Sequence, residues 1–170
     1  MRHALPRTLL VALLAVGLSA CDTTEEPEST ITDLVVASSN LSTLEAAVVR
    51  AGLADDLAGD GPFTVFAPTD DAFADLLAAL DATPEELLAR DDLGAILTFH
   101  VIAGSELQAA DLSAGQSART LNGASIGVVA AGSGLGIDTD GDGSADARVT
   151  TTDIEASNGV VHLIDAVLLP

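Results

Sequence analysis

The sequence predicts one α+β domain, with helices through its first half and short strands through its second. Three observations carry that reading. Apolar residues between Ile31 and Phe99 recur mostly at helical spacing, between marked start and stop residues. From Leu107 onward short apolar runs alternate with Gly, Ser and Asp pairs, the punctuation of strands. Val65-Phe66-Ala67 and Val160–Leu169 are too continuously apolar for a surface and read as buried strands of one sheet.

In chain order, Leu34, Val35 and Val36 mark a first short helix over Ile31–Ser39. Ser42-Thr43-Leu44-Glu45 has the capping-box pattern, with Leu41, Leu44, Val48 and Ala51 at helical spacing and Gly52 as the stop. Asp60-Gly61-Pro62 turns the chain into a strand over Phe63–Ala67. Pro68 ends it, and Thr69 or Asp70 caps a helix to Leu80 whose inner face is Phe73, Leu76, Leu77 and Leu80. Thr83-Pro84-Glu85-Glu86 supplies a cap, a first-turn proline and two carboxylates at a positive helix end. A further helix, Leu93–Phe99, leads into a strand at His100–Ala103. Strands then follow at Arg119–Leu121, Ser125–Val129, Leu135–Ile137, Ala147–Thr151 and Val160–Leu168.

Length and charge bound the function. A chain of 170 residues allows one ordinary domain, and its only aromatic residues are Phe63, Phe66, Phe73 and Phe99. Its core therefore rests on Leu, Val, Ile and Ala. All six basic residues are arginine and the formal charge is −20, a field that repels nucleic acid and anionic lipid head groups. Cations, basic proteins and neutral glycans remain as partners. Adaptation to a salty habitat accounts for the acidity equally well.

The first twenty residues have a basic start at Arg2, His3 and Arg7, then an uncharged apolar run from Thr8 to Leu18. That run is short for a permanent membrane span and has the build of a secretory signal. It ends in Leu18-Ser19-Ala20-Cys21, which resembles a bacterial lipobox, and Cys21 is the chain's one cysteine. The expected division is a signal peptide over residues 1–20, a lipidated Cys21 with an acidic, disordered tether to residue 30, and a domain over residues 31–170. Two or three acyl chains anchor stably, at about 0.8 kcal/mol per buried methylene. The membrane is then met through the anchor alone, in a bacterial envelope. Asp22 resembles an inner-membrane retention signal of enteric bacteria, so the leaflet stays open.

Asp138, Asp140, Asp142 and Asp146 fall at positions one, three, five and nine of an acidic loop, with Gly143 at six and Ser144 at seven. Alternate residues of a tight turn converge on one centre, and hard oxygen ligands of this kind suit Ca²⁺, with the Ser144 backbone carbonyl as a neutral donor. Position twelve is Val149 rather than the Glu of an EF-hand, and strands flank the loop. The pattern resembles the hairpin calcium loop of integrin-type β-propellers. A solvated Asp/Gly turn is the alternative.

Thr64-Val65-Phe66-Ala67-Pro68-Thr69-Asp70-Asp71-Ala72-Phe73 and Asn158-Gly159-Val160-Val161-His162-Leu163-Ile164-Asp165-Ala166-Val167-Leu168-Leu169-Pro170 resemble the two signatures of the fasciclin (FAS1) domain, an extracellular adhesion module. Leu97-Thr98-Phe99-His100-Val101-Ile102 lies between them in the expected order. The resemblance spans roughly Ile31–Pro170 and implies a FAS1-like α+β fold, N-terminal helices packed against a sheet or wedge of short strands. It also implies a candidate adhesion surface. Phe99-His100 stands where adhesion-active members carry Tyr-His, without the hydroxyl, and Asp153-Ile154 resembles an Asp-Ile adhesion pair. The bland reading makes His100 and His162 satisfied structural histidines.

Catalysis finds no support: no zinc-ligand spacing and no lysine for a phosphate cradle. The expected function is a non-catalytic adhesion or matrix-contact module, lipid-anchored and stiffened by Ca²⁺, meeting an extracellular protein or glycan. The alternatives are an envelope lipoprotein that holds a small apolar ligand between helices and sheet, and a structural protein that buffers cations.

Overall fold

The computed structural model describes residues 29–132 and 134–170. Helices α1 (Ile31–Ala37), α2 (Ser42–Ala51) and α3 (Ala54–Leu57) precede strand β1 (Phe63–Pro68). Helices α4 (Asp70–Leu80), α5 (Pro84–Leu88) and α6 (Leu93–Phe99) come next, followed by β2 (Val101–Ala103) and β3 (Ser117–Arg119). The chain closes with β4 (Ser125–Ala131), β5 (Gly134–Asp138), β6 (Ala147–Ala156) and β7 (Gly159–Ile164). The sheet order is β2-β1-β7-β6-β5-β4-β3, and β1 with β7 is its parallel pair. The expected α+β layout and the shared sheet of Val65 and the last strand are both present.

The alternation of β1 explains how one sheet serves two cores. Val65 and Ala67 face a cluster with Ile31, Leu44, Val48, Phe73 and Leu97 under the helices, whereas Phe66 points the other way. Phe66 joins Phe99, Ile126, Val128, Ile137, Ile164 and Leu168 inside the curl of the sheet.

Several local expectations need correction. Ser42 and Glu45 do not form a capping box: the residue before α2 is Leu41, which offers no side-chain cap. The carboxylate of Asp70, from the start of α4, instead accepts the Ser42 N–H (3.2 Å), the Ser42 hydroxyl (2.8 Å) and the Thr43 N–H (2.7 Å). Partial burial pushes the Asp70 pKa up, but these bonds outweigh it and hold the carboxyl below its ordinary value. Capping boxes do occur at Thr30–Asp33 and Thr83–Glu86.

Thr69 caps α4 by accepting the Ala72 N–H at 3.4 Å, leaving Asp70 free for α2. Leu80 is not on the inner face: the last turn of α4 runs out past the core and leaves it 44% exposed. Strand β3 ends at Arg119, because Thr120 already starts a turn closed by Gly123 N–H on Thr120 C=O (2.8 Å). Strand β7 stops at Ile164. Asp165 still holds Arg148 of β6, its N–H donating to the Arg148 C=O (3.0 Å), but its carboxylate takes the place of a backbone carbonyl in accepting the Arg148 N–H (2.7 Å).

Candidate functional site

The acidic loop lies in the hairpin between β5 and β6. Asp138, the last residue of β5, is buried, and its carboxylate organises the turn. It accepts the N–H of Asp140 (3.2 Å), Gly141 (2.7 Å) and Gly143 (2.9 Å). Gly141 and Gly143 have φ of 79° and 86°, a conformation most side chains resist, and so turn their N–H groups inward. Those bonds, led by Gly141 and Gly143, hold the Asp138 carboxyl below its ordinary pKa and keep it ionised.

Asp146 closes the far side by accepting the Thr139 N–H (2.8 Å) and hydroxyl (2.7 Å). One carboxylate oxygen each from Asp138, Asp140 and Asp146 lies within 4.8 Å of the other two. The carboxylate of Asp142 accepts the Ser144 N–H at 2.6 Å and is not in that trio. Three negative charges at this separation repel one another, and a hard divalent cation is the species that would turn that repulsion into attraction.

Of the four residues expected on an adhesion surface, two offer none. Phe99 and His100 are 1% and 2% exposed, because α6 turns directly into β2 and carries both inward. The His100 ring bridges two backbones: Nδ1–H donates to Ile96 C=O (2.8 Å), and Nε2 accepts the Leu168 N–H (2.9 Å). Burial depresses its pKa to about 4, against a smaller upward pull from the Ile96 bond.

Asp153 is exposed and Ile154 half-buried, at an irregularity in β6 where the register slips between Thr151 and Ile154. Asp153 takes φ of 58° and accepts the Ala109 N–H at 2.7 Å. Its own N–H donates to His162 Nδ1 (3.3 Å), while His162 Nε2–H donates to Leu107 C=O (2.8 Å). His162 also stacks on Phe66 at 5.5 Å between centroids. Burial lowers its pKa, opposed by the Leu107 bond and the Asp153 charge. Both histidines thus bind as neutral rings, each with a fixed tautomer.

Sequence reasoning missed Asn158, which it read only as half of a turn pair. Its Oδ1 accepts the Ile31 N–H (2.9 Å), and its Nδ2 donates to Leu57 C=O (2.8 Å) and Gly59 C=O (2.9 Å). No local signal shows these bonds, which span about a hundred residues. Cys21 lies outside the described residues.

A family model for the Fasciclin domain matches residues 39–170. The chain belongs to the fasciclin family. Two Synechocystis proteins are similar to this chain over most of its length. Protein sll1483 is 41% identical over 144 residues, covering 83% of this chain and 73% of that protein. Protein sll1735 is 40% identical over 139 residues, covering 82% and 96%. Among solved structures, a FAS1 domain pair from the insect cell adhesion molecule Fasciclin I has the same fold, with a TM-score of 0.72 at 22% identity. That alignment covers 85% of this chain and 52% of the insect one.

Proposed function

We propose that this fasciclin domain is a non-catalytic adhesion module of the cell envelope, held to the membrane through a lipidated Cys21 and meeting an extracellular protein or glycan. What supports the reading is the family match over residues 39–170, together with a fold shared with a cell adhesion molecule. Among the described residues no helix is long and apolar enough to cross a membrane. The purified chain should bind immobilised matrix proteins or glycans saturably, and cells carrying Cys21→Ser should release it into the soluble fraction. Robust turnover of a substrate without any such binding would sink the adhesion reading.

Ca²⁺ is the cation the hairpin fits, with Asp138, Asp140 and Asp146 as its convergent carboxylates and Asp142 and Ser144 as further loop oxygens. Its role is to lock the hairpin. Ligand bound a hundredfold above its Kd stabilises by about 2.7 kcal/mol, so saturating Ca²⁺ should raise Tm by roughly 5–10 °C. Asp140→Asn with Asp142→Asn should erase that rise without unfolding the apo chain. A wild type whose melting ignores Ca²⁺ makes the loop a plain turn.

One observation favours a second reading, a small apolar ligand. A cavity of about 370 Å³ lies between α3 and the start of the sheet, lined by Leu53, Leu57, Phe63, Val101 and Leu121. Lipid carried through purification and identified by mass spectrometry would support it.

A further inference from the structure

The two edge strands of the sheet, β2 and β3, face each other across an open seam. The turn after β3 closes one end, where Leu121 N–H donates to Val101 C=O (2.6 Å). Towards Ala103 and Ser117 the strands part, leaving a cleft of about 420 Å³. Its floor is the inner core, with Ile102, Leu107, Leu112 and Val128.

The ladders show which backbone groups face the cleft. His100 C=O and Gly104 N–H pair with Phe66 N–H and Pro62 C=O (both 2.9 Å), so in an antiparallel ladder Ile102 also faces β1 and Ala103 faces away. Gln116 C=O accepts Val128 N–H (2.7 Å) and Thr120 N–H donates to Ala124 C=O (2.8 Å), so Ala118 faces β4 while Ser117 and Arg119 face away. Amides and carbonyls from both edges therefore line a trough with an apolar floor and polar walls at Ser105, Gln116 and Ser117. An extended backbone is the chemistry that satisfies such groups.

Charge narrows the occupant. On a molecule of net charge −20, Arg119 is the only charged residue among the described residues lining this cleft. Its Nε–H donates to Gly123 C=O (3.1 Å), which steadies the guanidinium at the end of β3, and among the described residues no carboxylate lies within ion-pair distance of it. A guanidinium so placed suits a carboxylate in two-pronged contact.

We propose that this seam is a docking site for the extended C-terminal segment of a partner polypeptide. The segment adds as a short strand between β2 and β3, sets alternate side chains against the partly exposed Leu107 and Ala118, and places its terminal carboxylate on Arg119. The proposal rests on the adhesion reading and deepens it by naming the class of contact.

Titration of the full chain with the hexapeptide acetyl-Thr-Val-Thr-Val-Thr-Val as free acid tests this. Calorimetry should show binding, and hydrogen exchange should slow at the amides of Ala103, Ser117 and Arg119. The C-terminal amide of the same peptide should bind roughly fivefold more weakly, the scale of one exposed ion pair. Arg119→Gln should abolish that difference, leaving the weaker binding of the amide unchanged. A version N-methylated at alternate residues should not bind.

Equal affinity of acid and amide on the wild type would overturn the proposal and leave Arg119 as an edge gatekeeper. So would undiminished binding of the N-methylated peptide, or no peptide binding at all while octanoate protects the same amides. None of these outcomes depends on the matrix and glycan assays, so this proposal and the adhesion reading fail separately.

Discussion

Acidification from pH 7 to 4 should remove about 3 kcal/mol of stability from this domain, at about 1.4 kcal/mol for each pH unit over which only the unfolded chain is protonated. The group responsible is His100, whose pKa falls from 6.5 in the unfolded chain to about 4 inside the core. Above pH 6.5 both states hold a neutral ring and the contribution is complete. As pH falls through the window the unfolded chain takes up a proton that the folded one refuses, so stability drops. The geometry explains the refusal: a protonated Nε2 would present a hydrogen to the Leu168 N–H that it now accepts. Burial shifts His162 in the same direction and adds to the loss. The carboxyls held low, such as Asp70 and Asp138, add to the loss only at the acid end of this window, where the unfolded chain begins to protonate them below about pH 5.

Urea denaturation at pH 7.5, 5.5 and 4.0 measures the slope. In His100→Gln the domain should be weaker at neutral pH by about 2 kcal/mol, through backbone groups left unpaired, and visibly flatter in its pH response. An unchanged slope in that variant would assign the acid sensitivity elsewhere.

Gly159→Ala should prevent folding altogether. At that position φ is 153°, and an added Cβ would stand 2.0 Å from the Phe63 carbonyl oxygen. The obstacle is backbone of the neighbouring central strand, which cannot step aside without breaking the β1–β7 ladder that begins at the Phe63–Gly159 pair. Losses of this kind exceed about 4 kcal/mol, a large part of a typical domain's stability. Gly94→Ala makes the contrast. A Cβ there meets nothing within 4 Å, and the first turn of α6 should gain up to about 1 kcal/mol. Circular dichroism and soluble yield of the two variants should diverge sharply. A folded Gly159→Ala with a wild-type melt would refute the steric argument.

What the sequence made legible was local or periodic. Helix α4 with its Thr69 cap, α5 with its proline and carboxylates, and the buried character of β1 and β7 follow from residues a few positions apart. The carboxylate spacing also pointed to the hairpin where Asp138, Asp140 and Asp146 meet. What stayed hidden was partnership across the chain. Asp70 serves a helix that begins 28 residues earlier, and Asn158 ties down Ile31, 127 residues away. Phe99-His100 carried a family-like pattern, but burial depends on where α6 and β2 pack, which a dipeptide does not encode. The short helix α3 has too few residues to display a period.

Strand β7 sits between β1 and β6 although it is the last of the seven to be synthesised. An emerging polypeptide can assemble its helices early, but the middle of the sheet stays vacant until residue 164 becomes available. The tertiary structure of the domain therefore completes only once its latest strand has joined the ladder between β1 and β6.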